Sequence, residues 1–144
     1  MEANQLFTEE MIAPCGLDCS LCMMAQSKTN PCPGCNGPDE HKFFYCSQIC
    51  GIMKCDKFKA NGYRFCDECP DYPCGDVMEK ENRYMGEYPL RESPLQNLKL
   101  IRSLGMEAFL KQEREQWSCR ECGAAVSVHT GVCSGCGTKH SPGP

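Results

Sequence analysis

Fifteen of the 144 residues are cysteine, and a thiolate serves both as nucleophile and as soft metal ligand. The last four stand as Cys119-Arg-Glu-Cys122-Gly and Cys133-Ser-Gly-Cys136-Gly, a C-x2-C-x10-C-x2-C pattern with glycine after each pair. Two cysteines separated by two residues in a tight turn bring both sulfurs to one ion, and the glycine admits the positive φ that such a turn needs. Backbone N–H groups of the turn can also face the sulfurs and spread their charge. Between the pairs, residues 124–131 read as a small hairpin in which Val126 and Val128 alternate. A closed, tetrahedral, structural Zn²⁺ site of zinc-ribbon type at Cys119, Cys122, Cys133 and Cys136 is the expectation, with His129 and His140 as bystanders.

The N-terminal set is denser: Cys15, Cys19, Cys22, Cys32, Cys35, Cys46, Cys50, Cys55, Cys66, Cys69 and Cys74. Cys19-x2-Cys22-x9-Cys32-x2-Cys35 nearly repeats the ribbon spacing and can close a second four-sulfur site. Cys66-x2-Cys69 offers another pair, flanked by Cys74 and by the Cys46, Cys50 and Cys55 group. Order alone does not say which sulfurs share an ion. His41 is the only N-terminal histidine and can serve as a twelfth donor, since zinc accepts Cys3His; its other reading is a polar-loop residue. Three or four Zn²⁺ ions follow for the whole chain. The rival is an iron–sulfur cluster in the N-terminal domain, because sulfur-only ligation suits iron equally. Cys15-x3-Cys19-x2-Cys22 has the spacing of the radical-SAM cluster motif, but the barrel that goes with it does not fit this length, so the match reads as coincidence.

The rest of the sequence must position these sulfurs with little oil. Val, Ile, Leu and Phe together number 23, a share that leaves a chain disordered unless something besides a core holds it. Small domains in that position are stapled by disulfides or metals. The N-terminus shows no signal-peptide pattern and no stretch is apolar enough to span a bilayer, which points to the cytoplasm, where clustered thiols bind metal more often than they pair. A secreted disulfide scaffold is the other reading, and the odd cysteine count weighs against it. The fold expected is a small, irregular, metal-stabilised α+β chain: a Cys-rich zinc-binding domain over residues 1–85, a helical connector over 86–117 and a zinc ribbon over 118–144. In the connector, Ser93-Pro94 marks a helix start and Leu95, Leu98, Ile101 and Leu104 form one stripe. Gly105 stops that helix, and a second runs from Met106 to about Trp117, with Phe109 and Leu110 inward and Lys111, Glu113, Arg114 and Glu115 outward. Shorter helical stretches are expected over 21–28, over 48–59 with an interruption near Gly51, and over 75–84.

The stretches Ala13-Pro-Cys15-Gly-Leu-Asp-Cys19-Ser-Leu-Cys22, Cys32-Pro-Gly-Cys35, Cys50-Gly-Ile-Met-Lys-Cys55 and Cys66-Asp-Glu-Cys69-Pro-Asp-Tyr-Pro-Cys74 resemble a cysteine-rich family of bacteria and archaea, domain of unknown function 3795. The resemblance covers about residues 11–85 and leaves the ribbon outside, as an appended module. It implies a cytoplasmic prokaryotic metal-binding domain and brings no established activity.

Three functional classes compete. The first is a structural-zinc adaptor or regulator that binds protein or nucleic acid. Residues 42–65 carry a net charge of +4, with Lys54, Lys57, Lys59 and Arg64 among interleaved aromatics, a pattern that can stack and neutralise a single strand or supply the small core around the metals. The second is a redox or metal-transfer protein of an anaerobic-type prokaryote. An enzyme is the weakest reading: no nucleophile–base set and no phosphate loop is present, and no small-molecule substrate is evident. The formal charge of −4 argues against a general nucleic-acid binder.

Overall fold

A computed structural model of the chain describes residues 6–29, 31–42, 50–52 and 55–140. Four α-helices are present among them: α1 (Asp56–Asn61), α2 (Gly75–Gly86), α3 (Pro94–Leu104) and α4 (Met106–Trp117), with short 3-10 turns at Glu9–Met11, Cys19–Leu21, Asp39–His41 and Cys66–Glu68.

The connector's two helices start and stop where the sequence predicts, but Leu104, the last member of the expected apolar stripe, is exposed. The Ser93 hydroxyl accepts the Gln96 N–H at 3.0 Å, and Pro94 occupies the first helical position, where its missing N–H costs nothing. Gly105, at φ +91°, ends α3 and opens α4. Leu98 and Ile101 of α3 bury against Phe109 of α4, and this core extends to Ile12 and Phe65 of the Cys-rich segment. Glu113 departs from the expected outward face and is buried. Its neighbours Asp18 and Glu92 come from outside the helix, so helical periodicity within α4 carries no sign of them.

The shorter expectations fare unevenly. α2 covers and outruns the stretch 75–84. Over 21–28 there is a single 3-10 turn ending at Leu21, followed by non-helical turns. Over 48–59, residues 48–49 and 53–54 lie outside the described residues; Gly51 and Ile52 form a turn and α1 starts only at Asp56.

Sheet structure is sparse. The expected ribbon hairpin reduces to single antiparallel pairings, Ser118 with Ala125, Val126 with Cys133 and Val132 with Lys139, and the chain reverses through residues 128–130. Among the described residues the molecule is thus helix-rich and poor in strands. Val126 and Val128 are both buried, in one core with Leu6, Phe7, Leu21, Trp117, Cys119 and Cys133. The Cys-rich segment and the ribbon are further joined by Val128 N–H to the Leu21 carbonyl (3.0 Å) and by the Gln26 amide to the Val126 carbonyl (3.0 Å).

A third core gathers Cys15, Cys50, Ile52 and Val77. Gly16, at φ +102°, lets α3 lie directly on the Cys15 turn, since a Cβ there would meet the Pro94 carbonyl oxygen at 2.4 Å. The Asn97 amide fastens this contact through the Gly16 carbonyl (2.9 Å) and the Glu92 carboxylate (3.1 Å). Among the described residues, no helix is long and apolar enough to cross a membrane.

Candidate metal centre

The two ribbon turns are built alike. Gly123 N–H returns to the Cys119 carbonyl (2.8 Å), and Gly137 N–H returns to the Cys133 carbonyl (3.1 Å). Both glycines have positive φ, +80° and +76°, as the glycine after each pair requires. Inside the turns, Glu121 N–H faces Cys119 Sγ at 3.4 Å and Gly135 N–H faces Cys133 Sγ at 3.3 Å. All four sulfurs lie within 4.8 Å of one another, with Cys119–Cys136 at 3.7 Å and Cys122–Cys133 at 3.3 Å. Four ligands on a tetrahedron with bonds of about 2.3 Å stand about 3.8 Å apart, so the donor set fits one ion of zinc's size and preference. Gly135 closes the space: a Cβ there would lie 3.1 Å from Cys122 Sγ.

The charge is prepared as well. Hydrogen bonds from the Thr138 hydroxyl and backbone N–H, helped by Cys119 and Cys122, pull Cys136 down to about 6. Its neighbour Cys122 goes the other way, to about 11: the Ala124 N–H lowers it, but hydrogen bonding with Cys133 and loss of solvent outweigh that. A ribbon with one thiolate already formed near neutral pH is ready for a cation.

The N-terminal cysteines are arranged differently. Cys15, Cys19, Cys22, Cys35 and Cys50 line a cavity of about 550 Å³. Its wall also holds Asp18, Lys80, Tyr84, Glu92 and His129, residues the sequence did not single out for a shared site apart from the bystander His129. Burial pushes Cys15 well up, with repulsion from Cys35, Cys66 and Cys50 adding to it. Cys35 hydrogen-bonds Cys19 and lowers it, but burial and the charges of Cys22 and Asp18 leave Cys19 raised. Cys66 belongs to a neighbouring group: burial, then the charges of Cys74, Cys55 and Cys69, push it up to about 12. Cys32 is buried, its N–H on the Met24 carbonyl (2.9 Å), and is not among the residues lining the cavity. The spacing-based set of Cys19, Cys22, Cys32 and Cys35 is therefore brought together in three of its members. His41 is exposed beside Glu40 (3.7 Å) and joins no ligand group among the described residues. Cys46 and Lys54 lie outside the described residues.

His129 fastens the ribbon to this wall. Its Nδ1 accepts the Met23 N–H (3.3 Å), and burial lowers its pKa. A neutral ring accepting at Nδ1 carries its proton on Nε2, which donates to the Tyr84 hydroxyl at 3.1 Å. Behind the wall, Asp18 N–H donates to Glu92 (2.6 Å). Burial, the Asp18 and Glu92 charges and the hydrogen bond with Asp18 push Glu113 up to about 10, so it shares its proton with Asp18.

Of the remaining basic residues singled out in the sequence, Lys57 pairs with Asp71. Arg64 donates to the Glu9 carbonyl (3.0 Å) and lies 4.2 Å over the Phe65 ring, itself a core residue. Lys59 is exposed.

Residues 11–79 match the family described as Protein of unknown function (DUF3795), the family the cysteine order resembles, and the four ribbon cysteines lie outside that match. No curated protein and no solved structure matches the chain.

Proposed function

We propose, with residues 11–79 carrying the DUF3795 pattern as the premise, that this chain is a non-enzymatic, cytoplasmic prokaryotic adaptor or regulator folded around structural zinc. The observation that carries the reading is the four-sulfur ribbon, whose separations suit one tetrahedral Zn²⁺. Zinc supplies there a closed, redox-inert cross-link between two turns. Cys119 and Cys133 of that cross-link are core residues beside Phe7 and Leu21, so the ion supports the packing of the chain as a whole. A protein partner is favoured over a polyanion, because Lys57 and Arg64 already have partners within the chain.

Native mass spectrometry of the full chain tests the zinc. At least one Zn²⁺ per chain retained by the parent, and one fewer in Cys136→Ser, is expected, and a Cys136→Ser protein with unchanged zinc content overturns the assignment. Fluorescence anisotropy with labelled single-stranded DNA and RNA tests the partner class. No salt-dependent binding is expected, whereas tight binding that falls with salt and disappears when Lys57 and Lys59 are replaced makes nucleic acid the partner.

A further inference from the structure

The Cys32-x2-Cys35 pair splits, and Cys35 meets a different sulfur. Cys32 does not line the cavity, whereas Cys35 and Cys19 both do. Cys19 Sγ hydrogen-bonds the thiol and the backbone N–H of Cys35, so the two sulfurs are in direct contact. The fold holds them there. Asp18 caps the turn that Cys19 opens, its carboxylate accepting the Ser20 N–H (2.9 Å). On the other side, the Asn36 amide donates to the Glu10 and Ile12 carbonyls (2.9 and 2.8 Å), which ties the residue after Cys35 to the segment that carries Met11. A third sulfur comes with that tie. A Cβ on Gly34, at φ +88°, would lie 3.1 Å from Met11 Sδ and 3.5 Å from Cys19 Cβ. The Met11 thioether, Cys19 and Cys35 therefore border one glycine.

The donor set selects the ion. Zinc takes four donors drawn from thiolate, imidazole and carboxylate. Outside the ribbon, no three such side chains among the described residues have donor atoms within 4.8 Å of one another. Copper(I) is softer, accepts thioether as readily as thiolate, and is satisfied by two or three sulfurs. The surroundings suit a cation. Asp18 and Glu92 bring carboxyl groups to the same wall, while Lys80 and Arg83 both pair with Glu79.

We propose that Cys19 and Cys35 bind one Cu⁺ ion as thiolates, with the Met11 thioether as third donor, at a site separate from the zinc ribbon and reached through the cavity of about 550 Å³. Two Cu–S bonds form as the two thiols release their protons to solvent, and the thioether adds through a lone pair. Copper enters and stays as Cu⁺, so no electron is transferred. Cys32, although it forms the C-x2-C pair with Cys35, is not a ligand.

The test uses the full chain with its thiols reduced and zinc supplied, titrated without oxygen with up to one equivalent of Cu⁺ against a chromogenic Cu⁺ chelator. Cys19→Ser and Cys35→Ser are each expected to weaken binding of that first equivalent by about 100-fold or more, the upper end of what losing a mere supporting contact costs. Met11→Leu weakens it by about tenfold, and Cys32→Ser leaves it unchanged. A parent-like circular dichroism spectrum shows that each variant is folded, independently of whether the ribbon holds zinc. If neither serine variant accumulates, copper X-ray absorption on the parent decides: a shell of three sulfurs upholds the site, and a shell of nitrogen, oxygen or four sulfurs overturns it. Unchanged affinity in Cys19→Ser overturns the proposal, as does a loss in Cys32→Ser as large as that in Cys35→Ser. Unchanged affinity in Met11→Leu overturns the three-sulfur assignment. Release of one zinc for each copper bound places the copper in the ribbon and overturns the separate site.

Discussion

The ribbon and the Cys19–Cys35 stretch carry almost the same cysteine spacing, yet only one of them draws its sulfurs onto a point. In the ribbon, Gly123 and Gly137 follow the pairs, and their positive φ turns two N–H groups back onto the Cys119 and Cys133 carbonyls. In the N-terminal stretch, Cys22 ends a 3-10 turn and is followed by Met23. The one positive-φ glycine, Gly34, lies inside its pair. Cys22 and Cys35 then face a shared wall while Cys32 goes elsewhere. A C-x2-C pair alone does not bring its two sulfurs to one ion; a glycine after it, free to take positive φ, lets the turn close.

The sharpest way to break the comparison is to remove one ribbon sulfur. Structural zinc contributes on the order of 10 kcal/mol to folding, and the ribbon lends Cys119, Val126 and Val128 to the core that buries Phe7 and Leu21. Cys136→Ser is expected to lower the melting temperature of the whole chain in a single transition and to expose Leu21 to hydrogen exchange. A melting curve that splits, with only residues 118–140 lost early, separates the two regions instead.

Gly16→Ala acts on the other side. It forces a Cβ to within 2.4 Å of the Pro94 carbonyl and puts alanine at φ +102°. A loss of about 2–4 kcal/mol in denaturant unfolding is expected, with ribbon zinc retained while protein remains folded. An unchanged midpoint sinks the claim that α3 rests on the Cys15 turn.

Glu113 ties α4 to the Cys-rich segment through Asp18, and pH sharpens how. Burial raises its folded-state pKa from the ordinary 4.5 to about 10, so the folded chain holds a proton that the unfolded chain releases. Its contribution is complete below about pH 4.5 and is lost progressively as pH rises toward 10. Glu113→Gln keeps the shape without the titration; it is expected to stabilise the chain at pH 8 by about 1–3 kcal/mol and to flatten stability over that window. Equal slopes for parent and variant refute the shared proton.

The smallest effect is local. Thr138→Val removes the hydroxyl that most lowers Cys136. A depressed thiol pKa helps the folded ribbon keep its ion as pH falls, and that help fades through about pH 6. The variant is expected to release zinc at a higher pH, by less than about one unit, in a chelator-indicator titration. Release at the parent's pH means that the hydroxyl does not tune the site.

Much of this was legible in the residues. Ser93-Pro94, the Leu98 and Ile101 stripe and Gly105 announced α3 and α4, because local chemistry sets helix ends. The ribbon was legible because its cysteines and glycines act within a few residues of one another. The cavity was not: Lys80, Glu92 and His129 reach it from segments up to 114 residues away from Cys15, and no period in the chain encodes that meeting. Glu113 reads as a surface residue for the same reason, since its partner Asp18 sits between two cysteines at the far end of the sequence.

The bonds that span most of the chain, from Arg114 to the Phe7 carbonyl (3.2 Å), from Gln26 to Val126 and from Met23 N–H to His129, bear on the order of events during synthesis. The Cys-rich segment leaves the ribosome before the ribbon and carries most of the thiols, and it cannot finish burying Phe7 and Leu21 until the ribbon turns have emerged. At translation rates of about 5–20 residues per second, the nascent N-terminal thiols wait several seconds for their cover, a window in which metal delivery and protection from oxidants must act.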